Sequence, residues 1–250
     1  MAILWQHATA EHDYKVTLAG RSVRLYRKCV LHSQWNPAVP VGGHLWELFL
    51  LTCIGAVPSP QYVCVLGVGG GSVIKLIQYF FPQAKIDGVD FDAVHLQVAK
   101  EFFNIQNCRL YHDDAYRWLH HHSHKRYDLI IDDVFSELAG VPFRALNTNH
   151  QWLQKTLAML TAQGSLVMNF ADHAEWTSAR HEMHSSNFFQ PYQCAIGSHY
   201  RCDNRIVTLA QRDLSGKRIK QQLSAGRPNK MLYYLNKGIF KYRRVKFNTD

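Results

Sequence analysis

The chain has 250 residues, of which 47% are hydrophobic and 19% are charged. That length and composition suit one sizeable buried core with an appendage. No apolar run reaches the roughly 18 residues that a membrane helix needs, so we expect no membrane span. The first residues lack the basic-then-apolar pattern of a secretory signal, and the six cysteines form no C-x-x-C pair, so we expect a reducing, cytoplasmic location.

Charge is unevenly distributed along the chain, whose formal net charge is +9 at pH 7. Residues 212–250 hold eleven Lys or Arg against two acids, which accounts for the whole excess. A neutral body with a basic segment indicates an anionic partner or surface more than an anionic substrate.

Three regions follow one another along the chain. Residues 1–58 alternate apolar and polar side chains in places, which predicts a small β-ribbon, and an apolar helix follows near residues 44–54. Residues 59–212 alternate strand and helix patterns, which predicts a mostly parallel sheet covered by helices. The predicted strands are 62–66, 85–89, 108–111, 127–131, 165–169 and 205–210, and the predicted helices are 72–79, 93–103, 115–120 and 151–160. Residues 213–250 form a basic C-terminal extension.

The most informative segment is a glycine-rich turn between a predicted strand and a predicted helix. Residues 67–72 read GVGGGS and directly follow the apolar run Tyr62–Leu66. Glycines in this context let the backbone approach a nucleoside cofactor, although glycines also mark ordinary tight turns. Ser72 stands where the dinucleotide pattern has its third glycine, which favours other adenosine cofactors over NAD.

Carboxylates follow the next three predicted strands. Asp90 ends the second strand, where an acid accepts hydrogen bonds from ribose hydroxyls. Asp114 follows the third strand and is either a contact for an adenine amino group or a helix N-cap. Asp132 and Asp133 follow the fourth strand, and because adjacent strand residues point to opposite faces, we expect only one to face the crevice. A carboxylate there acts as a base, positions a cationic substrate, or is a solvated loop acid.

Four segments, taken in order, resemble the spermidine synthase-like family of the AdoMet-dependent methyltransferase superfamily. They are residues 66–72, 88–92, 112–115 and 127–133, and the resemblance covers about residues 20–210. Together with the predicted elements, it implies an α/β, Rossmann-like fold with a mostly parallel seven-stranded sheet, a small N-terminal β-element and the basic C-terminal extension. The resemblance is specific for the superfamily and not for the reaction.

The resemblance also implies a cofactor, S-adenosyl-L-methionine (AdoMet) or its decarboxylated form. The cofactor-binding set would be Gly67, Gly69, Gly70, Gly71, Asp90, Asp114 and Gln34. In this family the glycine loop lies against the amino-acid or aminopropyl arm, so Asp90 would bind the ribose, Asp114 the adenine amino group, and Gln34 would lie near the nucleoside. Asp133 falls where polyamine synthases place their catalytic aspartate.

Three departures from the family fall on the side where polyamine synthases bind their amine. Gly70 stands in place of an aspartate in the glycine loop, Ser136 in place of a second aspartate, and Leu45 in place of a tyrosine. A dicationic amine would lack most of its charge partners, and an unpaired buried ammonium is costly. The departures therefore favour methyl transfer to an unidentified acceptor. Polyamine aminopropyl transfer from decarboxylated AdoMet is the alternative, since Asp133 is retained.

The basic extension and the N-terminal ribbon each allow a further hypothesis. Residues 213–250 interleave bases with aromatics, which suits a nucleic-acid surface, with RNA as one candidate acceptor. The same pattern suits a helix docked on the body or a helix on a membrane surface, and a docked or partly ordered segment is the more common outcome. A non-catalytic nucleic-acid-binding protein and a homodimer through the N-terminal ribbon are therefore also hypotheses. The histidine-rich run at residues 120–124 is interpreted as a solvated loop, and no metal site is predicted.

Overall fold

A computed structural model describes residues 1–9, 12–138, 141–146, 148–184, 189, 191–225 and 229–245. The strands are β1 Ala2–Ala8, β2 Asp13–Ala19, β3 Ser22–Arg27, β4 Val30–Trp35, β5 Tyr62–Leu66, β6 Lys85–Asp90, β7 Cys108–His112, β8 Tyr127–Asp132, β9 Phe135–Leu138, β10 Val141–Arg144, β11 Leu160–Phe170, β12 Gln193–His199, β13 Arg205–Ala210 and β14 Phe240–Val245. The helices are α1 Glu47–Cys53, α2 Ser72–Phe80, α3 Ala93–Glu101, α4 Ala115–His121, α5 His150–Ala158, α6 His173–His184, α7 Gly216–Ser224 and α8 Asn229–Asn236.

The centre of the fold is an eight-stranded sheet with the spatial order β14-β12-β13-β11-β8-β5-β6-β7. Strands β5, β6, β7, β8 and β11 run parallel, whereas β13 runs antiparallel to β11 and β12, and β14 runs antiparallel to β12. Because the parallel strands share one direction, their carboxyl ends meet at one edge of the sheet, and most of them are buried apolar runs. That edge carries the candidate site.

The sheet has one more strand than the seven that we predict from the sequence. The additional edge strand, β14, comes from the basic extension. Phe240 is buried against the sheet while Lys241 and Arg243 point to solvent, so the strand combines a packed face with a charged one. Because the strand contains several Lys and Arg residues, its alternation of buried and exposed side chains is not recognisable from charge alone.

The rest of the basic extension also packs on the body. Helices α7 and α8 bury Ile219, Leu223 and Met231 completely. Arg218 donates a hydrogen bond to the carbonyl of Gly55, just beyond the end of α1, where a cation is favourable to the helix dipole. The described part of the extension is therefore docked on the body, which is one of the arrangements that the sequence pattern allows.

The N-terminal region is a four-stranded antiparallel sheet, β1-β2-β3-β4, that lies over the glycine-rich turn. Its last strand contacts the turn directly, because the backbone amide of Gln34 donates to Oγ of Ser72 at 2.7 Å and Oγ of Ser33 accepts from the amide of Gly70 at 2.8 Å. Within the described residues, no helix is long and apolar enough to cross a membrane.

Candidate functional site

A cavity of about 850 Å³ opens at the carboxyl edge of the parallel strands. Its wall combines the ends of β5, β6, β8 and β11 with β4 and with Leu45 and Trp46, which precede α1. Among the described residues that line it, none is Lys or Arg. The acids that line it are Asp90, Asp113, Asp114, Asp133, Asp172 and Asp203. The cavity is therefore acidic in a chain whose net charge is +9.

Asp90 binds the glycine-rich turn through its own carboxylate. Oδ2 accepts hydrogen bonds from the amides of Val68 at 2.9 Å and Gly69 at 2.8 Å, and Oδ1 accepts from the amide of Asp92 at 2.9 Å. Burial alone would raise the pKa of Asp90, but the nearby His95 and these amides hold it below its ordinary value. Asp90 is therefore an ionised carboxylate whose position is fixed relative to the turn.

The four predicted loop glycines divide into two pairs. Gly67 and Gly69 line the cavity. Gly67 has a φ of 86°, and a Cβ there would lie 2.1 Å from the carbonyl oxygen of Asp133, so only glycine lets the turn pass so close to the end of β8. Gly70 and Gly71 face the protein instead, where added Cβ atoms would meet side chains of Phe103 and Ile105 at 2.8 Å.

Asp114 both caps a helix and lines the cavity. Its Oδ1 accepts a hydrogen bond from the amide of Arg117 at 2.9 Å at the start of α4, and its side chain borders the cavity. The helix N-cap is therefore present, and the contact with an adenine amino group stays a prediction that the position of Asp114 on the cavity allows. The ring of Phe91 is 47% exposed and lines the same cavity, to which it offers an apolar face. Sequence reasoning passes over Phe91, although it directly follows Asp90.

Of the two acids after β8, only Asp133 faces the cavity, as the alternation of a strand predicts. Its Oδ1 accepts a 2.8 Å hydrogen bond from the side-chain amide of Asn169, at the end of β11. Burial raises the pKa of Asp133 to about 6, the neighbouring acids Asp132 and Asp90 add to the rise, and the bond from Asn169 opposes it. Asp133 can therefore exchange a proton close to neutral pH.

Asp132 lies on the opposite face and is completely buried. Its Oδ2 accepts hydrogen bonds from Arg144 at 2.7 Å and from the indole of Trp152 at 2.6 Å. The same guanidinium donates to the carbonyl of Asn169 at 2.7 Å, so one buried ion pair joins the ends of β8 and β11. Sequence reasoning misses Arg144, because it belongs to the short β9–β10 hairpin, which no predicted element includes.

Gln34, like Gly70 and Gly71, is not among the residues that line the cavity. Its side-chain oxygen accepts from Nε of Arg24 at 2.7 Å, and its amide nitrogen lies 2.9 Å from Nε2 of His44. The side chain thus ties β3 to the segment before α1. Its role next to a nucleoside stays a prediction. Around residues 120–124, as in the rest of the described chain, no group of three His, Cys, Asp or Glu is arranged to hold a metal.

Comparison with known proteins gives one curated relative at the sequence level. No protein-family model matches the chain. A polyamine aminopropyltransferase from Vibrio vulnificus (strain CMCP6) is 26% identical over 170 residues. The match covers 66% of this chain and 55% of the relative, so the chain corresponds to little more than half of that protein's length.

Solved structures extend the comparison to the whole fold. A probable spermidine synthase from Corynebacterium glutamicum has a TM-score of 0.72 at 16% identity, over 97% of this chain and 91% of that one. A spermidine synthase in complex with the transition state analogue AdoDATO has a TM-score of 0.62 at 10% identity, over 89% and 77%. Human methyltransferase-like protein 13, in complex with SAH, has a TM-score of 0.57 at 20% identity, over 76% and 90%.

These comparisons point to the spermidine synthase-like family of the AdoMet-dependent methyltransferase fold. They confirm the resemblance carried by the four sequence segments and the Rossmann-like α/β fold. SAH and AdoDATO are the ligands of two of these neighbours in their own structures. The preference for methyl transfer is not supported, because the curated relative and several spermidine synthase-like neighbours are named for polyamine synthesis.

Proposed function

We propose that the protein is a transferase that moves an aminopropyl group from decarboxylated AdoMet to a small cationic amine. The observation that carries this proposal is the acidic cavity, which six aspartates line in a chain of net charge +9. A sulfonium cofactor and an amine acceptor are both cations, and a cavity of one charge raises the local concentration of ligands of the other. The names of the curated relative and of the spermidine synthase-like neighbours support the same reaction.

The residues at the adenosine end of the cavity fit this cofactor. Asp90 is ionised and held at the end of β6, with Gly69 beside it presenting no side chain to the cavity. Phe91 offers a ring face and Asp114 a carboxylate at the next strand end. Asp90 would hold the ribose, Phe91 the base and Asp114 the exocyclic amine. When bound, the cofactor supplies a carbon already activated by its sulfonium.

Asp133 has the properties of the base that an amine acceptor requires. An ammonium has no lone pair and must lose a proton before its nitrogen can attack. With a pKa of about 6, Asp133 is mostly ionised at pH 7, so it can bind the ammonium by charge and accept its proton. The amide of Asn169 fixes the carboxylate in one orientation, which keeps the free oxygen available to the acceptor.

The acceptor end of the cavity differs from that of polyamine synthases. Phe103 and Ser33 fill the space beside Gly70, so a side chain at position 70 has no room. Asp172 and Asp203 line the cavity from beyond the end of β11 and from the turn before β13, and they can meet an ammonium from another side. We infer an amine acceptor bound differently from the diamine of those enzymes.

Methyl transfer from AdoMet is the second candidate. It is favoured by the packing at Gly70 together with Ser136 and Leu45, which line the cavity where the resemblance implies an aspartate and a tyrosine. Methyl transfer depends largely on alignment of acceptor and donor, so it tolerates the loss of these charge partners better than polyamine synthesis does.

Product analysis separates the two reactions. The full chain is incubated with putrescine and either decarboxylated AdoMet or AdoMet, and mass spectrometry follows both the amine and the nucleoside. We expect an aminopropylated amine only with the decarboxylated cofactor, and at least about a hundredfold less with Asp133→Asn. Asp13→Asn, at the exposed start of β2, is the matched control. A methylated product with AdoMet and none with the decarboxylated form would contradict the proposal.

A nucleic-acid partner, a homodimer and a cytoplasmic location stay predictions from the sequence. The docked arrangement of α7, α8 and β14 leaves their bases on the surface, so a polyanion still has a surface to bind.

A further inference from the structure

One wall of the cavity is held by a buried carboxylate outside the predicted site. Residues 42–46, hereafter the wall segment, precede α1, and Leu45 and Trp46 within it line the cavity. Glu47 is the first residue of α1, and its carboxylate turns back to accept the amide of Gly42 at 2.9 Å and the amide of His44. These bonds explain why α1 begins at Glu47, three residues later than the sequence predicts.

The other side of the wall segment is held by the end of the central sheet and by the basic extension. Nε2 of His199, on β12, lies 2.9 Å from the carbonyl oxygen of Gly43. The ring of Tyr234, on α8, packs so closely on Gly43 that a Cβ there would lie 3.0 Å from it. The segment is therefore clamped between Glu47 on one side and His199 and Tyr234 on the other.

Glu47 is a carboxylate without a cation. Its side chain is 2% exposed, and within the described part of the chain it forms no ion pair. Burial raises its pKa to about 7, and the backbone amides of residues 42–44 only partly oppose the rise. A group in this state changes charge inside the physiological range.

We propose that Glu47 positions the cavity wall formed by Leu45 and Trp46, and that ionisation of Glu47 loosens this wall. The direction follows from linkage. A wall segment that opens brings Glu47 into water, where its pKa returns towards its ordinary value of 4.5. The closed state binds the proton more tightly, so it is favoured at low pH and loses stability as the pH rises through 7. For these two pKa values, the closed population relative to the open one falls about tenfold between pH 6 and pH 8.

The neighbouring titratable groups do not supply this transition. Burial, with His199 and Arg24 nearby, lowers the pKa of His44, so its ring is neutral at pH 7. Burial and Glu47 raise the pKa of Tyr234, so its phenol is neutral as well. His199 accepts the amide of Arg201 at Nδ1, which leaves Nε2 to donate to the carbonyl of Gly43, and the His199→Gln variant below tests whether its imidazole contributes.

Hydrogen exchange of the wall segment tests the inference without relying on catalysis. Exchange of residues 42–46 is measured at pH 6 and pH 8 and corrected for intrinsic rates. In the wild type we expect about tenfold less protection at pH 8. Glu47→Gln mimics the protonated acid, so we expect its protection to be the same at both values. Wild-type protection that does not change with pH would overturn the proposal.

A fluorescence titration gives a second, independent measurement. Trp46 lies in the wall, and the difference between wild type and Trp46→Phe isolates its signal from those of the other tryptophans. We expect this signal to titrate with a midpoint near 7 and to do so equally in His199→Gln, which keeps a donor to Gly43 and removes the imidazole. A transition that disappears in His199→Gln would assign the effect to the histidine and overturn the proposal. If the cavity binds an amine acceptor as proposed above, the KM for that amine should increase when the pH is raised above 7. The hydrogen-exchange result does not depend on that proposal, so it stands even if the acceptor is not an amine.

Discussion

The side-chain amide of Asn169 donates a 2.8 Å hydrogen bond to Oδ1 of Asp133. Its own oxygen accepts from the amide of Asn204 at 3.0 Å, so the orientation of the Asn169 amide is determined from both ends. An N–H donor pointed at a carboxylate stabilises the ionised form and lowers its pKa. Asn169 therefore lowers the pH at which Asp133 becomes available as a base, against the larger effect of burial.

Replacing Asn169 by alanine should move the acidic limb of the pH–rate profile to higher pH. Without the amide, burial and the neighbouring acids raise the pKa of Asp133 further above its value of about 6. A smaller ionised fraction should lower kcat/KM at pH 6.5 by roughly three- to tenfold and have little effect at pH 8. The measurement is the full profile of kcat/KM for the amine. Asn204→Ala removes only the hydrogen bond that orients the Asn169 amide, so it should shift the acidic limb of the profile less. An acidic limb that does not shift in Asn169→Ala would refute the assignment of Asp133 as base.

Replacing Asp90 by asparagine should weaken cofactor binding and also lower the stability of the fold, and a separate measurement detects each effect. The variant loses the charge that we propose meets the ribose hydroxyls, so calorimetric titration should show at least about tenfold weaker binding of decarboxylated AdoMet or AdoMet. The amides of Val68 and Gly69 also lose their charged acceptor, and we expect the free energy of unfolding to fall by about 1–3 kcal/mol. Parallel titration with NAD should show no binding to the wild type. Unchanged AdoMet affinity in Asp90→Asn would place the cofactor elsewhere.

The free energy of unfolding should fall more when one member of the buried pair Asp132–Arg144 is replaced than when both are replaced. Asp132→Ala removes the 2.7 Å counter-charge of the Arg144 guanidinium, whose side chain is 2% exposed, and leaves it only the longer contact with Glu175 at 3.9 Å. Breaking a buried pair in this way typically costs about 3–5 kcal/mol, whereas replacing both partners by apolar residues costs less. Denaturant unfolding of Asp132→Ala, Arg144→Met and the double variant gives the comparison. A double variant less stable than both single variants would show that the pair contributes little beyond packing.

The sequence predicts the central strands and the acids at their ends because both depend on local pattern. Apolar runs mark β5 and β8, and β6 is a short segment with Ile86 and Val89 that follows a predicted helix; carboxylates stand at the ends of β6 and β8. What the sequence misses depends on pairing between distant segments. Arg144 reaches Asp132 only because a short hairpin folds back, and Gln34 turns towards Arg24 because strand register sets the two opposite each other. Neither the hairpin nor the register leaves a periodic signal in the chain.

Gly70 provides a test of why this chain departs from polyamine synthases. Gly70→Asp restores the aspartate of the family pattern, but its Cβ would lie 2.8 Å from the ring of Phe103 and 2.9 Å from Cβ of Ser33. We expect the single variant to lose about 1–3 kcal/mol of stability and to gain no affinity for putrescine. Combining it with Phe103→Ala removes the contact with the ring, although Cβ of Ser33 remains close, and so separates crowding by Phe103 from the effect of the charge. Tighter putrescine binding in Gly70→Asp alone would show that the turn relaxes more readily than its packing indicates.

The predicted nucleic-acid surface is best tested by changing charge rather than by deleting residues 213–250. Deletion removes Ile219, Leu223 and Met231 from the core, so any lost activity would be confounded by unfolding. Lys217, Lys220, Lys241 and Arg243 are exposed, and their replacement by Glu should leave the unfolding midpoint almost unchanged. If the segment follows a phosphate backbone, single-stranded RNA should bind the wild type with an affinity that falls steeply as salt rises, and at least about tenfold more weakly to the quadruple variant. Equal binding by both proteins at 50 to 200 mM salt (roughly the range over which counterion release acts) would rule the surface out.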